Sequence, residues 1–297
     1  MGILAKLSTA TDERSARLAG IVLMLASVCM FSFGDALGKY IVATYSVGQL
    51  MLLRACAALV LMAPSIWRRR GEFRRIERPW LQLLRVILST LEIAAFFLAT
   101  VYLPLADVVT YYQATPIFVT ALSALILREQ VGWRRWSAVL IGFCGVLIAL
   151  KPSAQTVTWP AMIALAGSMA FSVLLMITRS LRATPDIVLA SAQFVATLLF
   201  GLVTAPIGWV TPTWSSLGFF FASGAISVGA LLGVNRSLKL APASTVVPYQ
   251  YTMILWAVMF GYVVFGDVPS SSTALGAAII IGAGLYIFLR EREIGRP

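Results

Sequence analysis

Histidine is absent from this chain of 297 residues. Its absence removes the commonest metal ligand and the side chain best suited to general base work near neutral pH. Cysteine occurs three times, at Cys29, Cys56 and Cys144, each inside an apolar run. That pattern offers neither a disulfide framework nor a cysteine metal site. Charge is scarce: Asp, Glu, Lys and Arg make up 12% of the residues, against about 25% in an average soluble domain. No phosphate-binding Gly-Lys loop and no nucleophile elbow can be found. These lacks argue against a membrane enzyme and against an ATP-driven pump within this chain, and no cofactor and no metal site is expected.

What is present is apolar. Hydrophobic residues make up 60% of the chain, more than a soluble fold of this size can hide, so lipid is the expected solvent. The formal net charge of +11 raises nucleic acid as a partner, but the basic residues lie in short loops between apolar segments, where they mark membrane orientation.

About 20 mostly apolar residues cross a bilayer as a helix. Ten candidate spans stand out, at roughly 18–43, 47–66, 80–102, 105–127, 136–150, 158–178, 186–207, 216–235, 241–265 and 272–289. When the intervening loops are assigned alternately to two sides, 19 Lys and Arg residues fall on one side and Lys151 alone on the other. By the positive-inside rule both termini are then cytoplasmic. The expected organisation is a cytoplasmic tail over 1–17, a first repeat over 18–152, a second repeat over 158–290 and a short cytoplasmic tail over 291–297. The first tail is charged beside the apolar run and has no cleavage site there, so it is not read as a signal peptide.

The chain repeats itself. At an offset of 138 residues, Asp107, Tyr111, Ala114, Phe118 and Glu129 fall on Thr245, Tyr249, Thr252, Trp256 and Asp267. At an offset of 140, Phe31, Ser32, Lys39 and Thr44 fall on Phe171, Ser172, Arg179 and Thr184. Two similar halves of five helices each, joined directly, must sit in opposite orientations. The expected fold is therefore an all-α integral membrane protein of ten transmembrane helices in two inverted five-helix repeats, an arrangement common in transporters.

The segments LPLADVV, LREQVGWRRW and GFCGVLIALKP in the first half, and LAPASTVVPYQYT and GYVVFGDVP in the second, resemble the two EamA-type repeats of the drug/metabolite transporter superfamily. FGDALGKY (33–40) and Leu53-Arg54 fit the same resemblance, which covers nearly the whole chain. It implies a ten-helix carrier in the bacterial inner membrane, with a central cavity between the halves. Members of such families move amino acids, sugars, vitamins, nucleotide-like metabolites or drugs.

Several residues within the spans can carry chemistry. A carboxylate in hydrocarbon is costly and marks function by default. Glu92, near the middle of the third span, can receive an ammonium group or exchange a proton; its bland reading is a buried pair with Arg54 or with Arg85. Arg85 is two turns away, about 10 Å along the axis. Asp35 and Lys39 are four apart on one helix face. With Arg54 and Asp107 they are expected at one level near the outer surface, as a gate of ion pairs or as a static network. Asp107, Tyr111, Ala114 and Phe118 share one helix face, and Thr245, Tyr249, Thr252 and Trp256 repeat the spacing. Tyr111 and Tyr249 are read as cavity walls able to stack on an aromatic or cationic substrate, with Phe118 as packing. Tyr112, Gln113, Gln250 and Tyr251 add polar groups nearby, although neighbours about 100° apart cannot all face one cavity. Pro116 and Pro248 interrupt these helices as hinges or fixed bends. The Gly34/Gly38 and Gly229/Gly233 pairs permit close helix approach, for internal packing, sliding or dimerisation.

The leading reading is a secondary carrier for a small organic metabolite, amino-acid-like or aromatic, working by alternating access and exporting its substrate. Uptake of a vitamin or nucleoside-type metabolite of the riboflavin or S-adenosylmethionine class, and multidrug export, are the alternatives. A channel is the reading from another class. Partners are the substrate and the bilayer, with protons as a candidate coupling ion, in a monomer or homodimer and without nucleic acid.

Overall fold

The computed structural model describes residues 2–74, 78–115, 118–119, 122, 133–150, 158–181, 183–240 and 246–294. Helices α1 (Gly2–Val42), α2 (Val47–Arg68), α3 (Pro79–Tyr102), α4 (Leu105–Tyr112) and α5 (Trp133–Leu150) form the first half. The second half holds α6 (Trp159–Ser180), α7 (Asp186–Thr204), α8 (Trp214–Leu240), α9 (Met253–Phe260) and α10 (Ser271–Ile294). No strand occurs among the described residues.

Local chemistry sets the helix starts. Ser46 caps α2 by accepting the Gln49 amide at 3.2 Å. Proline stands in the first turn of α3 and of α6, where its missing donor costs nothing. Several hydroxyls inside the helices bond the carbonyl one turn back, as Thr90 does to Val86 and Thr110 to Ala106. That leaves these groups no unmet polar demand in an apolar medium.

Six helices are long and apolar enough to cross a bilayer: α1 from Leu18, α2, α3, α6, α7 and α8. Shorter apolar helices cover Met253–Phe265 and Ser271–Ala283. Exposed aromatics stand at the helix ends, among them Trp67, Trp80, Tyr102, Trp159 and Trp214, as in the belts at membrane surfaces. Trp80 and Tyr102 bracket α3 about 33 Å apart at 1.5 Å per residue, close to a bilayer's hydrocarbon thickness of about 30 Å.

The helix of α1 begins at Gly2 and runs into the first apolar span, having no proline to stop it. Two expectations are revised. The single helix expected over 105–127 is interrupted after Tyr112 by a turn at Gln113 and Ala114, and Thr115, Phe118, Val119 and Leu122 are helical again. Pro116 itself lies outside the described residues, but a proline there denies the Tyr112 carbonyl its helical partner. The helix expected over 241–265 is a 3₁₀ run, Val247–Thr252, followed by α9 and a π turn, Gly261–Phe265. Pro248 sits in the 3₁₀ run.

The halves interlock by a regular rule. α1 packs along α8 and α3 along α6; α2 meets α8 while α3 meets α7; α1 meets α9 while α4 meets α6; and α2–α7, α4–α9 and α5–α10 pair directly. Exchanging helices 1–5 with helices 6–10 maps this set of contacts onto itself. Gly34, Gly229 and Gly233 serve the α1–α8 seam: a side chain at Gly229 would strike Met30, and one at Gly233 would strike Ser27, whereas Gly38 faces Phe97 of α3.

Candidate functional site

Midway along α3, roughly 18 Å from Trp80 and about 15 Å from Tyr102 along the axis, stands Glu92. Its carboxylate, that of Asp35 on α1 and the guanidinium of Arg54 on α2 act on one another electrostatically. Asp35 and Arg54 are each only 8% exposed. Even so, among the described residues no hydrogen bond or salt bridge joins the three side chains, and Arg54 Nη1 is buried with no hydrogen-bond partner. The guanidinium stands over the Phe97 ring, 5.3 Å from its centroid. Phe97 fits because residue 38 is glycine: a Cβ there would strike its ring. Tyr112 closes the group from α4, donating its hydroxyl to the Glu92 carbonyl at 3.1 Å and meeting Phe96 edge-on.

Lys39, one turn beyond Asp35 on α1, belongs to a different cluster. Its Nζ reaches Asp267 Oδ2 at 2.6 Å and stands 4.6 Å from the Phe265 ring centroid. Asp107 accepts a hydrogen bond from Thr273 at 2.7 Å and feels Asp267 and Lys39 electrostatically. The expected single network of Asp35, Lys39, Arg54 and Asp107 is therefore two clusters, because helical spacing places Asp35 and Lys39 on one face but leaves each a turn apart in depth. Tyr45 bonded to Ser216 at 2.7 Å, and Gln49 bonded to the Val210 carbonyl at 2.6 Å, also link the two halves at the α1–α2 turn.

The bland pairing of Glu92 with Arg85 is overturned. Arg85 is 2% exposed and donates to Thr178 at 3.0 Å, the Leu189 carbonyl at 3.0 Å and Gln193 at 3.3 Å. It pins α3 to α6 and α7, and its charge lies at the C-terminal turn of α6, where the helix dipole favours a cation. The other proposed partner, Arg54, is an electrostatic neighbour of Glu92 without a bond to it.

The two tyrosines of the first repeat also exchange parts. Tyr111 is buried in the main core, with Asp107 as its charged neighbour, while Tyr112 faces the Asp35–Glu92 group. In the second repeat, Tyr249 and Trp256 pack against Met24, Val28 and Val246, and the Trp256 ring nitrogen is buried without a partner. Gln113 donates to the Gln250 carbonyl at 3.5 Å, joining the broken end of α4 to the 3₁₀ run. Ser172 donates to the Thr115 carbonyl at 3.3 Å, meeting part of the polar demand just before Pro116. Tyr251 lies on the 3₁₀ run. Ala114 and Phe118 form a small core with Leu165 and Ile281, which fits the packing role expected for Phe118.

The sequence reading gives no site role to Asp267, Thr273 or Phe97. The acidic turn of the second repeat was a signal for Asp267; nothing in the spacing singles out Phe97. The charges are one-sided as well. At an offset of 140 residues, Asp35, Arg54 and Glu92 fall on Leu175, Phe194 and Leu232, so the second half has no counterpart of the central group. Among the described residues no cluster of His, Cys, Asp or Glu suits a metal ion.

Fold and site together define a multi-pass α-helical membrane protein that encloses charged groups within its helices. Residues 18–151 match the EamA-like transporter family, and the chain resembles transporters of the drug/metabolite transporter superfamily. The chain is 23% identical over 285 residues to the S-adenosylmethionine uptake transporter of Rickettsia prowazekii, covering 95% of this chain and 96% of that one. It is 27% identical over 236 residues to the riboflavin transporter of Rhizobium johnstonii, covering 79% and 78%. It is 24% identical over 269 residues to the pseudopaline exporter CntI of Pseudomonas aeruginosa, covering 89% and 94%. A solved crystal structure shares the fold, with a TM-score of 0.65 at 18% identity over 95% of this chain and 99% of that one.

Proposed function

We propose that this protein is a secondary carrier that moves a small, positively charged organic metabolite across the bacterial inner membrane by alternating access. The observation that carries the reading is the central group: two carboxylates against one guanidinium, buried within the apolar spans, with no bonds among them. Charge in that position is expensive and persists where a substrate or ion uses it. Breaks at corresponding places in the two halves, after Tyr112 and at Pro248, favour the same reading, since interrupted helices at the repeat interface are where carriers bind.

The carrier has ten spans in two inverted repeats, over 18–152 and 158–290, with both termini cytoplasmic. The exchange symmetry of the helix contacts and the loop charges support this. Uptake is preferred over export, because one full-length relative is named an uptake transporter for a cationic metabolite. Glu92 is the group through which protons couple, and Pro116 and Pro248 are its hinges.

Counterflow in proteoliposomes tests the carrier. Vesicles are loaded with amino acids, S-adenosylmethionine and riboflavin, and labelled members are added one at a time. Saturable exchange of a cationic compound is expected. Linear, unsaturable flux would make the protein a channel.

A further inference from the structure

Arg54 is an unusual guanidinium. It is nine-tenths buried, its Nη1 has no hydrogen-bond partner, and among the described residues its side chain makes no hydrogen bond or salt bridge. Two carboxylates stand in electrostatic reach, yet neither is bonded to it. A buried donor left unmet costs far more than one satisfied, and an arginine beside two acids ordinarily closes a forked pair with one of them. Here the fork is held back: Phe97 supports the guanidinium from below, and Gly38 leaves room for Phe97. Asp35 and Glu92 come from two other helices.

We infer that Arg54 is the receptor for a carboxylate on the substrate, while Asp35 and Glu92 each receive one of its positive charges. The substrate class is then an α-amino-acid head group on a molecule with a second cationic centre, such as a sulfonium or side-chain amine. Charges match in number: two acids and one guanidinium face two cations and one carboxylate. Phe97 and Gly38 are positioning residues, acting through Arg54. A neutral flavin leaves all three groups unpaired and is rejected, because a site built for polar groups penalises a ligand that lacks them.

This assignment rests on the carrier reading, and two measurements separate them. Binding is measured by titration calorimetry on the full chain in lipid nanodiscs, with two matched pairs: S-adenosylmethionine against its decarboxylated form, and L-arginine against agmatine. In at least one pair the carboxylate-bearing member binds about 10- to 100-fold more tightly, the range for a charge-assisted hydrogen bond made in a buried site. Arg54→Gln erases that difference by weakening only the carboxylate-bearing member, and Arg54→Lys restores part of it. Wild-type protein that discriminates in neither pair, or Arg54→Gln protein that loses both members equally, overturns the assignment. The wild-type comparison holds even where a variant fails to fold. If neither pair binds while riboflavin shows saturable counterflow, the assignment falls and the carrier stands. If the pairs bind as expected but no compound exchanges, the carrier falls and the site stands.

Discussion

Lys39 and Asp267, 228 residues apart in the chain, meet at 2.6 Å. One belongs to the first half and the other to the acidic turn of the second. Both side chains keep some exposure, 16% and 26%, so the pair contributes modestly, about 0.5–1 kcal/mol. A contact of that strength is weak enough to break and re-form in a carrier's cycle. Lys39→Glu is expected to slow transport by about two- to fivefold, and adding Asp267→Lys should recover most of the rate. Initial uptake rates in vesicles check this; a double variant no better than either single one would remove the pair from the cycle.

Gly38 leaves space that Phe97 fills. Gly38→Ala should force the ring aside and cost about 1–3 kcal/mol, the range for overpacking. The unfolding temperature in detergent drops accordingly. Adding Phe97→Leu, which removes the ring atoms in the way, restores part of it. An unchanged unfolding temperature in Gly38→Ala would mean the seam is looser than the geometry indicates.

Arg85 makes all its bonds to neutral acceptors. Replacing it by methionine removes both the charge and the cost of burying it, whereas lysine keeps a compact charge and loses the planar fork. Arg85→Lys is therefore expected to destabilise by about 2 kcal/mol more than Arg85→Met. Thermal unfolding of the two variants decides the order, and the reverse order would count against a buried pin of charge-assisted bonds.

Glu92→Gln keeps the shape of the side chain and removes its proton. Accumulation driven by a pH gradient should vanish, while exchange of substrate against substrate persists. Accumulation unchanged in well-folded protein would assign proton coupling to another group or to none.

Much of the fold was legible. The first three helices of each half were readable from apolar length alone, because a lipid solvent demands long uninterrupted runs. The breaks after Tyr112 and at Pro248 were foreseen as prolines in helices, but not as a turn and a 3₁₀ run, since proline removes a bond without dictating what replaces it. At the site, Glu92, Asp35 and Arg54 were identified singly. Their grouping was not, because spacing along α1 ties Asp35 to Lys39 and says nothing of which neighbouring helix each will face. Tyr111 and Tyr112 differ by about 100° around one helix, and only the packing of α4 against α3 decides which of them meets Glu92. The Lys39–Asp267 contact depends on how the two halves are docked, which no local pattern encodes.

The main helix contacts pair off between the halves, whereas the central charges do not, for Leu175, Phe194 and Leu232 stand where the first half carries Asp35, Arg54 and Glu92. In a carrier whose halves trade shapes, identical halves would make the two end states equal in energy. In such a carrier lopsided electrostatics lift that degeneracy: the unloaded form gains a resting side, and a transmembrane voltage acts on a central group borne by one half. Directionality can thus be written into a two-fold scaffold by decorating one copy and leaving the other plain.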